Sequence, residues 1–157
     1  MLRKCTKNDI QYIYKIYFHP TVNPFMNIKT MSLNDFSDYW AKRMINEDIF
    51  VWVEGDKIAG MICINQESNR CSGTVTLCSL AIHPDYHNKG LGRKMVNEIL
   101  SKLKKDKIVR VQLIVEEDND KARPFYKKLG FEEEGKLRKY FNREGKFIDE
   151  IMMARLL

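Results

Sequence analysis

The chain has 157 residues, 44% of them hydrophobic and 31% charged, which suits one domain and is too apolar for disorder. No apolar run approaches the roughly 20 residues that cross a bilayer, so a membrane protein is excluded as well. Lys and Arg number 27 against 21 Asp and Glu, a net charge of +6, which would serve nucleic acid, an anionic cofactor or an acidic partner equally.

The opening Met1-Leu2-Arg3-Lys4-Cys5-Thr6-Lys7 places no apolar segment behind its charges, so a cytoplasmic protein without a secretory signal is expected, with residues 1–157 as a single domain. Residues 2–4 read as a short strand. Asn8 or Asp9 can cap a helix to Phe18, whose Ile10, Ile13, Tyr14 and Tyr17 stand three and four apart. The prolines at 20 and 24 break it. Ser32, with Asp35 three residues on, opens a second helix striped by Phe36, Tyr39, Trp40 and Met44.

From Ile49 the period becomes that of strands: 49–54, a tight turn at Gly55-Asp56, then 57–65. Residues 75–82 are apolar on both faces, as in a central strand covered on both sides. A helix is predicted over 89–104, a strand over 108–115 and a helix over 119–129. Two further strands, joined at Arg143-Glu144-Gly145, complete the chain. This order predicts an α/β (α+β) fold with a mixed central sheet of about six or seven strands flanked by about four helices.

The four cysteines, Cys5, Cys63, Cys71 and Cys78, form no C-x-x-C pair, and His19, His83 and His87 are too few to complete a zinc site. Reduced cysteines and no bound metal are expected. Cys78, on the central strand, reads as a small buried hydrophobe, and His83 as an exposed group of the following loop.

Two stretches carry chemistry. In the first, the strand ending Leu80-Ala81-Ile82 leads through a loop to His87-Asn88-Lys89-Gly90-Leu91-Gly92-Arg93, where a helix begins. Unpaired N–H groups, a partial positive charge and glycines there make a pyrophosphate cradle, reinforced by Lys89, Arg93 and His87. Alternatively, Gly90 ends a loop and Gly92 eases packing. The second stretch runs from Asn119 to Phe131, with Ala122, Phe125, Tyr126 and Leu129 on one helical stripe and Gly130 as its stop. Taken alone, Tyr126 fits that stripe as a core aromatic.

Together the stretches resemble the GNAT superfamily of acyl-CoA N-acyltransferases. His87 to Gly92 occupy its Q/R-x-x-G-x-G/A pattern, and Asn119, Ala122, Tyr126, Gly130 and Phe131 match N-x-x-A-x-x-x-Y-x-x-x-G-F. The element order fits along essentially the whole chain. The ending, from Glu134-Gly135-Lys136-Leu137-Arg138 through Gly145 to Arg155, looks most like members that acetylate amino acids, polyamines or protein N-termini.

The resemblance implies acetyl transfer from acetyl-CoA, as co-substrate and without a metal, to a primary amine of a small molecule or peptide. It implies that amides from His87 to Arg93 bind the pyrophosphate. Main-chain N–H groups near Leu80, Ala81 and Ile82 would polarise the thioester, and Tyr126 would protonate the leaving sulfur. Asn119 would fix the pantetheine arm or cap its helix, with Ala122 beside it. No nucleic-acid or membrane partner is implied, and the protein would be a monomer or homodimer.

Two positions depart from the pattern. His87 replaces the usual Gln or Arg, and Thr76 stands where many members have a proton-relaying glutamate. The general base is therefore open, and the pH dependence is expected to follow the acceptor's own ammonium group. Two rival readings are a GNAT-like domain that binds acyl-CoA without turnover and a basic nucleic-acid-binding module. The aromatics falling on core stripes count against the latter.

Overall fold

The second helix begins at the Ser32 cap that the sequence predicts, whereas Asp9 makes no side-chain cap for the first helix and instead closes a 3-10 turn over Lys7–Asp9 with Thr6. In the computed structural model, which describes all residues Met1–Leu157, the Thr6 amide and hydroxyl donate to the Asp9 carboxylate at 2.8 and 3.0 Å. Arg3 donates to both oxygens of the same group at 2.7 and 2.8 Å. Burial alone would raise the Asp9 pKa, but these bonds hold it below the usual range. Helix α1 (Ile10–Tyr17) follows. Helix α2 (Leu33–Asn46) starts where Ser32 Oγ accepts from the Asp35 amide at 3.1 Å.

The strands are β1 (Leu2–Lys4), β2 (Asp48–Glu54), β3 (Lys57–Gln66), β4 (Thr74–Ile82), β5 (Arg110–Glu116), β6 (Glu132–Arg143) and β7 (Lys146–Leu156). They form one seven-stranded sheet in the order β1-β2-β3-β4-β5-β7-β6. Helix α3 (Leu91–Lys105) joins β4 to β5, and α4 (Ala122–Lys128) joins β5 to β6. The α3 crossover makes β4 and β5 parallel, while β5–β7 and β6–β7 are antiparallel. This is the mixed sheet with four helices that the sequence predicts.

The chain divides into two compact units, Met1–Asn65 with Leu77–Ile99, and Gln66–Thr76 with Leu100–Leu157. The first is built on an aromatic core. Phe36 and Trp40 are fully buried and stacked at 5.1 Å, with Tyr17 edge-on to Trp40 at 5.1 Å. Gly60 lets β3 approach the end of β4, because a Cβ there would lie 2.7 Å from Ile82 Cδ1 and 3.0 Å from the Ala81 carbonyl. The second unit buries Val111, Leu113, Phe131 and Met153, and its surface pairs Arg110 with Glu134 and Arg123 with Glu133.

The structure moves several predicted boundaries. Helix α3 begins at Leu91 rather than 89, because Asn88 and Gly90 take left-handed φ values of 59° and 74° and hold the chain in a turn. Helix α4 begins at Ala122 rather than 119. Strand β4 is not covered on both sides: Val75, Leu77 and Ala81 are buried, whereas Thr76 is half-buried and Cys78 is exposed. Cys78 is thus not the buried hydrophobe expected, because it lies on the more open face of an alternating strand.

Candidate active site

In the first unit the loop after β4 is braced by its own histidines. His83 Nδ1 accepts from the Asp85 amide at 3.3 Å, capping a 3-10 turn over Pro84–Tyr86. His83 is half-buried rather than an open loop group. The His87 ring bonds the Ile82 carbonyl through Nε2 at 2.8 Å. Since a carbonyl only accepts, Nε2 carries the proton, and His87 ties the loop back to the end of β4.

Beyond His87 the exposed Asn88, Lys89 and Gly90 lead into α3, where Leu91 is buried, Gly92 half-buried and Arg93 exposed. Lys89 Nζ lies 5.5 Å from the Tyr86 ring centroid. The first amides of α3 have no intrahelical acceptor, so a helix N-terminus with Lys89 and Arg93 beside it faces solvent, an arrangement suited to an anionic group. Of the predicted β4 residues, Ala81 is buried and Leu80 and Ile82 are half-buried.

In the second unit, Asn119 Oδ1 accepts from the Ala122 amide at 2.9 Å and so caps α4. Its Nδ2 donates to Glu116 Oε2 at 3.4 Å. Tyr126 lies one turn further along α4, 8% exposed, with its ring edge-on to Phe125 at 5.0 Å and Phe131 at 5.6 Å. Burial, and then the charge of Glu116, push the Tyr126 phenol well above its ordinary pKa. The hydroxyl therefore keeps its proton at neutral pH.

Three carboxylates of this unit escape sequence reasoning. Thr76 Oγ1 donates to Glu67 Oε1 at 3.1 Å and accepts from Gln112 Nε2 at 3.2 Å. Glu116 and Glu150 are register partners on β5 and β7, only 7% and 5% exposed. Burial, and then the neighbouring Glu116, push the Glu150 carboxyl up to about 7. The available signal was an acid lying in phase with buried apolar residues, as Glu150 does with Ile148.

The first unit also gathers Arg43, Glu47, Cys63 and Cys78, with Glu47, Cys63 and Cys78 offering ligand atoms within 4.8 Å of one another. Arg43 already bonds Glu47 at 2.5 Å and Cys63 Sγ at 3.1 Å. The Cys63 thiol donates to Glu47. Its hydrogen bond with Cys78, then burial, push the Cys63 pKa upward. A protonated thiol beside a guanidinium is a poor cation ligand, so this cluster reads as structural.

Comparison with known proteins gives one consistent result. The model of the acetyltransferase (GNAT) family matches residues 10–131. The L-amino acid N-acetyltransferase AaaT of Escherichia coli K12 is 26% identical over 162 residues, spanning 99% of this chain and 97% of that protein. The [ribosomal protein bS18]-alanine N-acetyltransferase of the same strain is 34% identical over 79 residues, 50% of this chain and 53% of the relative. Among solved structures, a spermidine N-acetyltransferase from Vibrio cholerae in complex with CoA and spermine superposes with a TM-score of 0.86 at 23% identity, covering 99% of this chain and 94% of that one.

Proposed function

The chain belongs to the acetyltransferase (GNAT) family, and on that premise we propose that it carries an acetyl group from acetyl-CoA to the primary amine of a small molecule or peptide. Acetyl-CoA supplies the activated acyl group as a thioester, and the chain must bind it, polarise it and manage protons.

Binding falls to the turn at His87–Gly90 and to the first amides of α3, from Leu91 to Arg93, with Lys89 and Arg93 adding positive charge. His87 contributes by fixing the turn through the Ile82 carbonyl. The family pattern assigns polarisation of the thioester oxygen to main-chain N–H groups of Leu80, Ala81 and Ile82. These lie beyond the last β4–β5 pair, Thr76↔Gln112. Asn119 caps α4, the helix that carries Tyr126. As the C–N bond forms and the C–S bond breaks, the Tyr126 hydroxyl gives its proton to the departing sulfur and recovers one from the acylated nitrogen.

The observation that carries this reading is the family match over residues 10–131, with Tyr126 buried at its motif position beside Phe125 and Phe131. L-amino acids, an alanine of ribosomal protein bS18 and spermidine are the acceptors that the relatives' names supply, and any of them fits a primary-amine chemistry. Free-thiol release from acetyl-CoA, measured with amino acids, polyamines, aminoglycosides and peptides bearing a free N-terminus, tests the proposal. Turnover that depends on at least one amine supports it, and thiol release that no amine accelerates contradicts it.

A further inference from the structure

An amine acceptor arrives at neutral pH as an ammonium ion and must lose a proton before its nitrogen can attack. Thr76 cannot take that proton, since a hydroxyl is no base near neutrality. The second unit holds another arrangement that can. Glu116 and Glu150 face each other across the β5–β7 ladder, both buried. Asn119 donates to Glu116 Oε2, whereas Glu150 Oε2 is buried and accepts no hydrogen bond. A buried carboxylate oxygen with no donor is costly and needs either a proton or a cation.

The nearby cations are engaged elsewhere. Lys136, on β6, pairs with Glu117 and Asp149. Arg143, also on β6, pairs with Asp118, and Arg123, on α4, pairs with Glu133. Tyr126 on α4 also feels the charge of Glu116. Burial, and then the facing charge of Glu116, disfavour ionisation of Glu150 and push its carboxyl up to about 7.

We propose that the Glu116–Glu150 carboxyl pair is the proton acceptor for the amine, replacing a base at Thr76. One proton passes from the ammonium nitrogen to the pair, directly or through one water, leaving the nitrogen lone pair free to attack. The pair then returns that proton to solvent. This assignment rests on the acetyl-transfer reading, and it predicts a pH profile set by the enzyme instead of one that follows the acceptor.

The test is the pH profile of kcat/KM for two acceptors whose amine pKa values differ by at least one unit. The expected result is one inflection, near 7 and the same for both acceptors, because it belongs to the enzyme. Glu116→Gln and Glu150→Gln should each lower kcat/KM by about 100-fold on the plateau and abolish that inflection, with calorimetric CoA affinity kept within about two-fold. An inflection that moves with the acceptor, survives in both variants or vanishes instead in Glu67→Gln overturns the proposal.

Should the variants fail to fold, ¹³C-glutamate NMR of the wild-type protein without substrate decides. One carboxyl titrating near neutrality supports the pair, and all glutamates titrating below about 5 overturn it. The same titration reads the pair even if no amine is ever acetylated, so failure of the base assignment and failure of the acetyl-transfer reading are told apart.

Discussion

Tyr126→Phe removes one oxygen from a side chain whose ring is fixed by Phe125 and Phe131, so it separates chemistry from packing at a single atom. If the hydroxyl protonates the leaving sulfur, kcat falls about ten- to a thousand-fold while CoA affinity is retained. A kcat within about two-fold of wild type, measured where chemistry limits the rate, would leave Tyr126 as a core residue only. Asn119 and Tyr126 were legible in the sequence because a fixed motif spacing places them. Glu116 and Glu150 were not, since their meeting depends on the β5–β7 register, which no local pattern announces. Glu67 was hidden in the same way, reaching Thr76 from the segment after β3.

The entry to α3 depends on backbone conformation more than on side-chain space. A Cβ at Gly90 would meet no protein atom within 4 Å, yet the residue sits at φ +74°, where an L side chain costs roughly 1 kcal/mol. Gly90→Val should therefore distort the turn and crowd whatever approaches the helix amides. Calorimetry is expected to show CoA bound about ten-fold more weakly, with a modest fall in Tm. Unchanged affinity would remove this turn from cofactor binding.

Existence and order of the elements were readable from periodicity, whereas their ends were not. The start of α3 was misplaced because Asn88 adopts a left-handed φ that its neighbours in sequence do not signal. The start of α4 was misplaced because Asn119 acts through its side chain as a cap. Strand β4 looked covered on both faces because Leu80 and Ile82 are apolar, although both remain half-exposed in the fold.

Across the molecule, part of the charge is organised into pairs. The basic stretch of residues 121–128 illustrates it, with Arg123 and Lys127 sharing Glu133. A folded-state pKa of about 7 for Glu150, against an ordinary 4.5, means that folding favours the protonated form. Its stabilising effect is complete below about 4.5 and lost as pH rises through 7, worth up to about 3 kcal/mol by linkage. Asp9 and Glu47, whose values are lowered, act oppositely and weaken the fold only below the ordinary carboxylate range. Stability should therefore peak near pH 5 and decline toward 7. Urea midpoints should record that decline in the wild type and a much flatter profile in Glu150→Gln; a flat wild-type profile would contradict the burial of an unpaired carboxyl.

The central claim is that one acetyl group moves from acetyl-CoA to one amine. It is tested most directly by incubating the protein with acetyl-¹³C-labelled acetyl-CoA and an active acceptor, then counting thiol released against labelled N-acetyl product. The account predicts equal amounts of the two and no thiol above background when the amine is omitted. CoA bound without turnover for any amine, or thiol released without labelled amide, would contradict it.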